Sequence, residues 1–204
     1  MIPNADRWER LATGYWCPKC RDAIAGPNAM HLPDRCRNCD PNKLAIIACS
    51  GKKRPGPDVK AIDMYDGPMW QTLRARMAEL PAAREAFATG ELRIFVLSAK
   101  WGLVEAFVCL PDYDQRLDER RAAELPHNPT NDLQMIPGMV NQASDVLFAG
   151  GELYRNAMWK ATGANLFNIM KITETDGAGI GFQREQLSAW FNLHFSSQAE
   201  RLAA

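Results

Sequence analysis

The stretch Leu44-Ala-Ile-Ile-Ala-Cys-Ser-Gly-Lys-Lys53 decides how the rest of the chain is read. Six apolar residues in a row, with isoleucines at the centre, stop at small residues and then at two cations. An apolar run this short, bounded by glycine and charge, predicts a fully buried strand. In an open α/β sheet, ligands bind just beyond the carboxyl ends of the strands. The loop beyond this strand carries the Cys49 thiol, the Ser50 hydroxyl, a permissive Gly51 and the ammonium groups of Lys52 and Lys53. That set suits an anion, phosphate being the commonest. The competing reading is a β-turn followed by a solvated basic loop.

Two further segments repeat the pattern. Leu92-Arg-Ile-Phe-Val-Leu-Ser98 is a second apolar strand and ends in Ala99-Lys100-Trp101-Gly102-Leu103. Asp145-Val-Leu-Phe-Ala149 is a third, running into Gly150-Gly151 and then a helical segment, Glu152 to Trp159, that carries Tyr154. Between the first two, Asp66-Gly67-Pro68 signals a helix start, and Met69, Leu73, Met77 and Leu80 keep helical spacing up to Pro81. A short helix over 82–89 follows. Strands that end alike and are joined by helices predict parallel crossovers with all tips on one edge. Ser50, Lys52, Ser98 and Lys100 would converge there, with the Gly150-Gly151 amides and a helix N-terminus adding an anion site. The glycine spacing matches neither a GxGxxG fingerprint nor a P-loop. A helix over 132–143, a fourth strand over 165–170, a glycine-rich loop at 176–181 and an amphipathic helix over 183–202 complete an α/β body spanning 43–204. Leu187, Trp190, Phe191 and Phe195 form the apolar side of that last helix.

Residues 1–42 read differently. Cys17-Pro-Lys-Cys20 and Cys36-Arg-Asn-Cys39 are two CxxC knuckles fifteen residues apart, the spacing of a structural zinc site. Four thiolates close a tetrahedron around Zn²⁺ and leave no open position, so this metal would hold structure. Four unrelated thiols, or two disulfides, are the alternatives. The segment is poor in apolar residues, and metal binding would supply the missing stability. Lys19, Arg21, Arg35 and Arg37 beside the knuckles are either phosphate contacts or a solvated rim.

The totals exclude some classes. Twenty-four basic residues balance twenty-four acidic ones, so no global field marks a general nucleic-acid or membrane binder. No apolar run approaches the roughly 18 residues of a membrane span, and the first residues lack a signal-peptide core. A cytoplasmic location is expected.

Leu110-Pro-Asp-Tyr-Asp-Gln-Arg-Leu117 is irregular and polar, with Asp112, Tyr113 and Asp114 together. A carboxylate beside a phenol at a sheet's ligand edge polarises water or steadies a cationic transition state. Asp114 serves equally as the cap of a helix over 115–125. Asp63 with Tyr65 is a second carboxylate–phenol pair.

The pieces Cys49-Ser-Gly-x-Lys, Asp63-x-Tyr65-x-Gly67, Ser98-Ala-Lys-x-Gly-Leu103, Tyr113-Asp114, Gly150-Gly151-x-x-Tyr154 and Gly177-x-Gly-Ile-Gly181 occur in this order. Together they resemble a largely uncharacterised phage and bacterial domain. That domain is distantly similar to YaaA-type peroxide-stress proteins and to the accessory domain of archaeal tRNA-guanine transglycosylases. The resemblance covers roughly 43–195 and leaves out the zinc knuckle. It implies a three-layer α/β fold similar to uracil-DNA glycosylases and a role around nucleobases in nucleic acid, DNA before RNA. The Gly-x-Asp-Pro-Tyr loop and the late His-Pro-Ser of true uracil-DNA glycosylases have no counterpart, which argues for a modified base. The helix-hairpin-helix insertion of the YaaA proteins is not evident either.

The expectation is therefore an enzyme cleaving the N-glycosidic bond of a modified base. Asp114, Tyr113 and Asp63 would be catalytic. Ser50, Gly51, Lys52, Tyr65, Ser98, Lys100, Gly150, Gly151 and Tyr154 would hold substrate. The alternatives are a non-catalytic nucleic-acid-binding accessory protein, or an enzyme working on free nucleotides or RNA by hydrolysis or base exchange.

Overall fold

The computed structural model describes residues 8–17, 23–30, 42–54, 56–57, 59–125, 135–164, 171–177 and 179–196. Strands β1 (Glu9–Leu11), β2 (Gly14–Trp16) and β3 (Ala23–Ala25) form an antiparallel sheet of their own, in that order. Cys17 follows β2 and is buried. Cys20, Cys36 and Cys39, the rest of the expected zinc set, lie outside the described residues. Among the described residues no three His, Cys, Asp or Glu side chains are grouped to hold a metal. The expected zinc ribbon thus lies for the most part outside the described residues.

The body runs β4 (Lys43–Ala48), β5 (Val59–Lys60), α1 (Ala61–Met64), α2 (Pro68–Glu79), α3 (Pro81–Thr89), β6 (Leu92–Ser98), β7 (Gly102–Glu105) and β8 (Cys109–Leu110). It continues with α4 (Glu119–Glu124), α5 (Met135–Gln142), β9 (Asp145–Ala149), α6 (Glu152–Thr162), β10 (Ile172–Glu174) and α7 (Ile180–Phe195). The central sheet has the order β10-β9-β4-β6-β7. Its first four strands are parallel and β7 is antiparallel to β6. The fold is thus mixed α/β around a mainly parallel sheet. Strands β5 and β8 form a small antiparallel pair.

β4 is central because both of its faces are apolar. Leu44, Ile46 and Ala48 pack with Phe95, Leu97, Val146 and Phe148 against α5 and α6 through Met139, Val140, Ala157 and Met158. Ala45 and Ile47 pack with Ile94, Val96 and Leu147 against α2 and α7 through Trp70, Leu73, Leu187 and Phe191. Alternation along a strand sends successive side chains to opposite faces, so a continuous apolar run demands cover on both. Each isoleucine here is fully buried, contributing about 1.5–3 kcal/mol. Helix α2 starts at Pro68, where the missing N–H costs nothing. Helix α3 stops at Gly90, whose φ of 81° is left-handed.

The structure departs from the sequence reading at β7 and at the starts of the fourth and last helices. β7 was not anticipated, because Gly102-Leu-Val-Glu was read as the tail of the loop after β6. The helix expected from Gln115 begins at Glu119, and its cap is Asp118, whose Oδ1 accepts the Arg121 N–H at 2.7 Å. Asp114 is not a cap, because the chain from 111 to 118 is neither helix nor strand and the helix opens only after Asp118. The strand expected over 165–170 lies outside the described residues, and the described edge strand is β10. Helix α5 covers Met135–Gln142 of the expected 132–143, and α7 begins at Ile180 rather than at Gln183. Among the described residues no helix is long and apolar enough to cross a membrane.

Candidate functional site

Because β9, β4 and β6 are parallel, Gly150, Cys49 and Ala99 leave the sheet at one edge. The Gly150 N–H donates to Thr175 Oγ1 at 2.9 Å, tying the tip of β9 to the chain after β10. A Cβ on Gly150 would stand 2.7 Å from Ala48 Cβ, whereas one on Gly151 would meet nothing within 4 Å. Gly150 is thus a packing glycine, and Gly151 opens α6 with space around it.

The loop after β4 is stitched to the turn before α2. Ser50 Oγ donates to the Lys52 carbonyl at 2.6 Å and accepts the Gly67 N–H at 3.0 Å. The Arg54 N–H donates to the Met64 carbonyl and the Asp66 N–H to the Lys52 carbonyl. The Asp66 carboxylate receives Arg74 at 2.7 Å, Arg54 at 3.1 Å and Lys52 at 3.3 Å. Burial works to raise its carboxyl pKa, but the hydrogen bonds and charges of Lys52 and Arg54 outweigh that and hold it below the ordinary value.

Beside this loop lies a second cluster, made of hydroxyls. Tyr113 Oη is 2.7 Å from Tyr65 Oη and 2.7 Å from Ser98 Oγ. Ser98 Oγ also accepts the N–H groups of Lys100 at 3.2 Å and Trp101 at 3.1 Å. Cys49 Sγ is 3.3 Å from Tyr154 Oη. Burial pushes the Tyr65 phenol up to about 12 and the Tyr113 and Tyr154 phenols higher still; the nearby Cys49 thiol adds to all three. These phenols keep their protons at any physiological pH.

Two ammonium groups border the hydroxyls. Lys53 Nζ donates to the Tyr113 carbonyl at 2.7 Å and sits 4.2 Å from the centre of its ring. Lys100 Nζ lies 4.8 Å from the Trp101 ring and 5.9 Å from that of Tyr113. Arg121 braces the loop from below, donating to the Ala99 and Lys100 carbonyls.

The structure therefore brings Tyr65, Ser98 and Tyr113 into one bonded group, with Tyr154 and Lys100 next to it. Ser50 and Lys52 are engaged in holding their own loop, and Gly51 is exposed with open space around it. Asp114 is exposed, next in sequence to the buried Tyr113. Asp63 is exposed on α1, and the Tyr65 phenol faces Tyr113. The Tyr113 ring is 8% exposed with Lys53 against it, which leaves little face for stacking a base. Cys49 and Lys53, read from sequence as members of the anion loop but not as substrate-binding residues, both take part, and they are the first and last residues of the Cys-Ser-Gly-x-Lys piece. Asp66 and Arg74 carry no site signal in the sequence beyond the helix-start reading of Asp66-Gly67-Pro68.

The chain belongs to a family of unknown function, DUF6884, whose model matches residues 44–189. The match spans the sheet, both clusters and most of α7, and stops short of the N-terminal segment. No curated protein and no solved structure matches the chain.

Proposed function

We propose that this protein is an enzyme of the N-glycosylase type, acting on a modified base in nucleic acid. The observation that supports it is the meeting of Ser98, Tyr65, Tyr113, Lys53 and Lys100 at the carboxyl edge of a parallel sheet, where such folds place their ligands. Cleavage of a glycosidic bond passes through a sugar of oxocarbenium character, which a carboxylate stabilises while orienting water. Asp114, exposed beside the cluster, is our candidate for that carboxylate. A base in duplex would be flipped out at a cost of a few kcal/mol of unstacking. The finer relationship, to YaaA-type proteins and transglycosylase accessory domains within a glycosylase-like three-layer fold, belongs to this proposal. So do the cytoplasmic location and a structural Zn²⁺ on Cys17, Cys20, Cys36 and Cys39, which metal analysis tests as one zinc per chain against none.

The experiment is incubation with DNA carrying different base modifications, with mass spectrometry of the bases released. Asp114→Asn is expected to lower release by about 10²–10⁴-fold while DNA binding is kept; undiminished release removes Asp114 from the mechanism. A second reading has one observation in its favour: the cluster of buried Tyr65, Ser98 and Tyr113 with half-buried Cys49 and Tyr154 contains no carboxylate. On that reading the edge only grips nucleic acid, and binding occurs without release of any base.

A further inference from the structure

Counting protons in the hydroxyl cluster singles out one donor. A serine hydroxyl has two lone pairs and one proton. Both lone pairs of Ser98 Oγ are taken by the Lys100 and Trp101 N–H groups, so its proton must go to Tyr113 Oη. The contact between Tyr65 Oη and Tyr113 Oη uses one more proton. Three hydroxyl protons serve two bonds, and one is left over.

Which oxygen holds the spare proton follows from burial. If Tyr113 donated to Tyr65, the spare would sit on Tyr65, which is fully buried and whose other hydroxyl neighbour, Ser98, already accepts two N–H groups. A buried donor without an acceptor is costly. If Tyr65 donates instead, Tyr113 Oη accepts twice and keeps its own proton. Tyr113 is the one member of the three with surface left, 8% against none for Tyr65 and Ser98. Two accepted hydrogen bonds also polarise that O–H and make it a stronger donor.

The surroundings say what it would donate to. Lys53 and Lys100 border the Tyr113 ring, and neither has a carboxylate partner among the described residues. By contrast, Lys52 and Arg54 in the adjoining loop are bound to Asp66. A neutral O–H on a ring bordered by two ammonium groups that have no carboxylate partner among the described residues fits a group that only accepts and carries negative charge.

We infer that the Tyr113 hydroxyl, with Lys53 and Lys100 beside it, binds a phosphate oxygen of the substrate rather than its base. This rests on the nucleic-acid reading above and assigns the part of the substrate that Tyr113 touches. Raised by burial and by the neighbouring Cys49 and Tyr65, the phenol stays protonated and the donor role is constant with pH.

The test compares two single-stranded oligomers of about ten units, one of natural thymidines and one of abasic spacers on the same phosphodiester backbone. The wild type is expected to bind both. Tyr113→Phe is expected to weaken both alike, by roughly 10- to 100-fold, the worth of a hydrogen bond to a charged group. Loss confined to the thymidine oligomer, or no loss on either, overturns the assignment, as does a wild type that ignores the abasic oligomer. Should Tyr113→Phe unfold, the variant carrying Lys53→Met and Lys100→Met decides. The slope of log affinity against log salt is expected to fall by about 0.7 per lysine, and an unchanged slope overturns the proposal. Neither oligomer carries a modified base, so failure of base release leaves this result standing, and the reverse holds too.

Discussion

Two clusters lie side by side on the carboxyl edge of the sheet, and they handle charge in opposite ways. At Asp66 one carboxylate collects Lys52, Arg54 and Arg74, and the cations are spent on holding the loop after β4 against the turn before α2. At Tyr113 three hydroxyls collect one another, and Lys53 and Lys100 stand by without a carboxylate. Adjacent residues of one loop, Lys52 and Lys53, fall on either side of this division. The difference teaches that a basic loop is not in itself a binding surface. What matters is which of its charges the fold has already neutralised.

Four substitutions test the contrast. The largest effect is expected where the loop after β4 meets the turn before α2, at Gly67, whose added Cβ would stand 2.6 Å from Ser50 Cβ. Gly67→Ala should cost about 1–3 kcal/mol by overpacking, and Gly51→Ala, with nothing within 4 Å, should be close to neutral by comparison. Equal denaturation midpoints for the two variants would show that the loop and turn are not locked together.

Next comes Ser98→Ala, which removes the acceptor of two N–H groups and the donor to Tyr113. A loss of about 1–2 kcal/mol in urea titrations is expected, with no dependence on salt, because no ion is involved. A salt-dependent loss would mean that the hydroxyl cluster is held by charge after all.

The smallest effect is expected at Asp66, whose pairs are partly exposed and therefore individually weak. Its carboxyl pKa is lower in the folded chain than in the unfolded one. The stability it contributes is therefore present above the ordinary carboxylate value, about pH 4, and is lost as pH falls through the folded value. Asp66→Asn should lower the melting temperature at pH 7, and the gap should close on acidification. A gap that persists unchanged at strongly acid pH would refute the ionic account of this cluster.

Much of the scaffold was legible because it is written in local patterns. Leu44–Ala48, Leu92–Ser98 and Asp145–Ala149 are short apolar runs, and the described strands match them closely. Pro68 and Gly90 mark helix ends for reasons of backbone geometry alone. β7 escaped notice because four residues of a hairpin's return strand carry little periodicity. Asp114 and Asp118 are both carboxylates suited to capping, and the local pattern does not choose between them; the structure uses Asp118.

At the sheet edge, the sequence does not separate neighbouring residues of a loop. Lys52 and Lys53 are both read as anion-loop cations, and only Lys53 reaches Tyr113, whereas Lys52 pairs with Asp66. Gly150 and Gly151 were taken together, where Gly150 is closed by Ala48 and Tyr154 and only Gly151 has room. Period and composition do not report such single-residue choices, because neighbouring residues of a loop can point in unrelated directions.

By itself, then, the sequence determined that three apolar segments become buried strands and that polar, cationic residues follow each of them. Hydrophobic burial and backbone sterics act on neighbours along the chain and need no further information. Only the tertiary structure decided that Tyr65, Ser98 and Tyr113 share two hydrogen bonds, and that Asp66 neutralises one set of cations while leaving the other. Those outcomes depend on contacts between residues 8 to 48 positions apart, and short-range forces become specific there only once the fold has brought the partners within bonding distance.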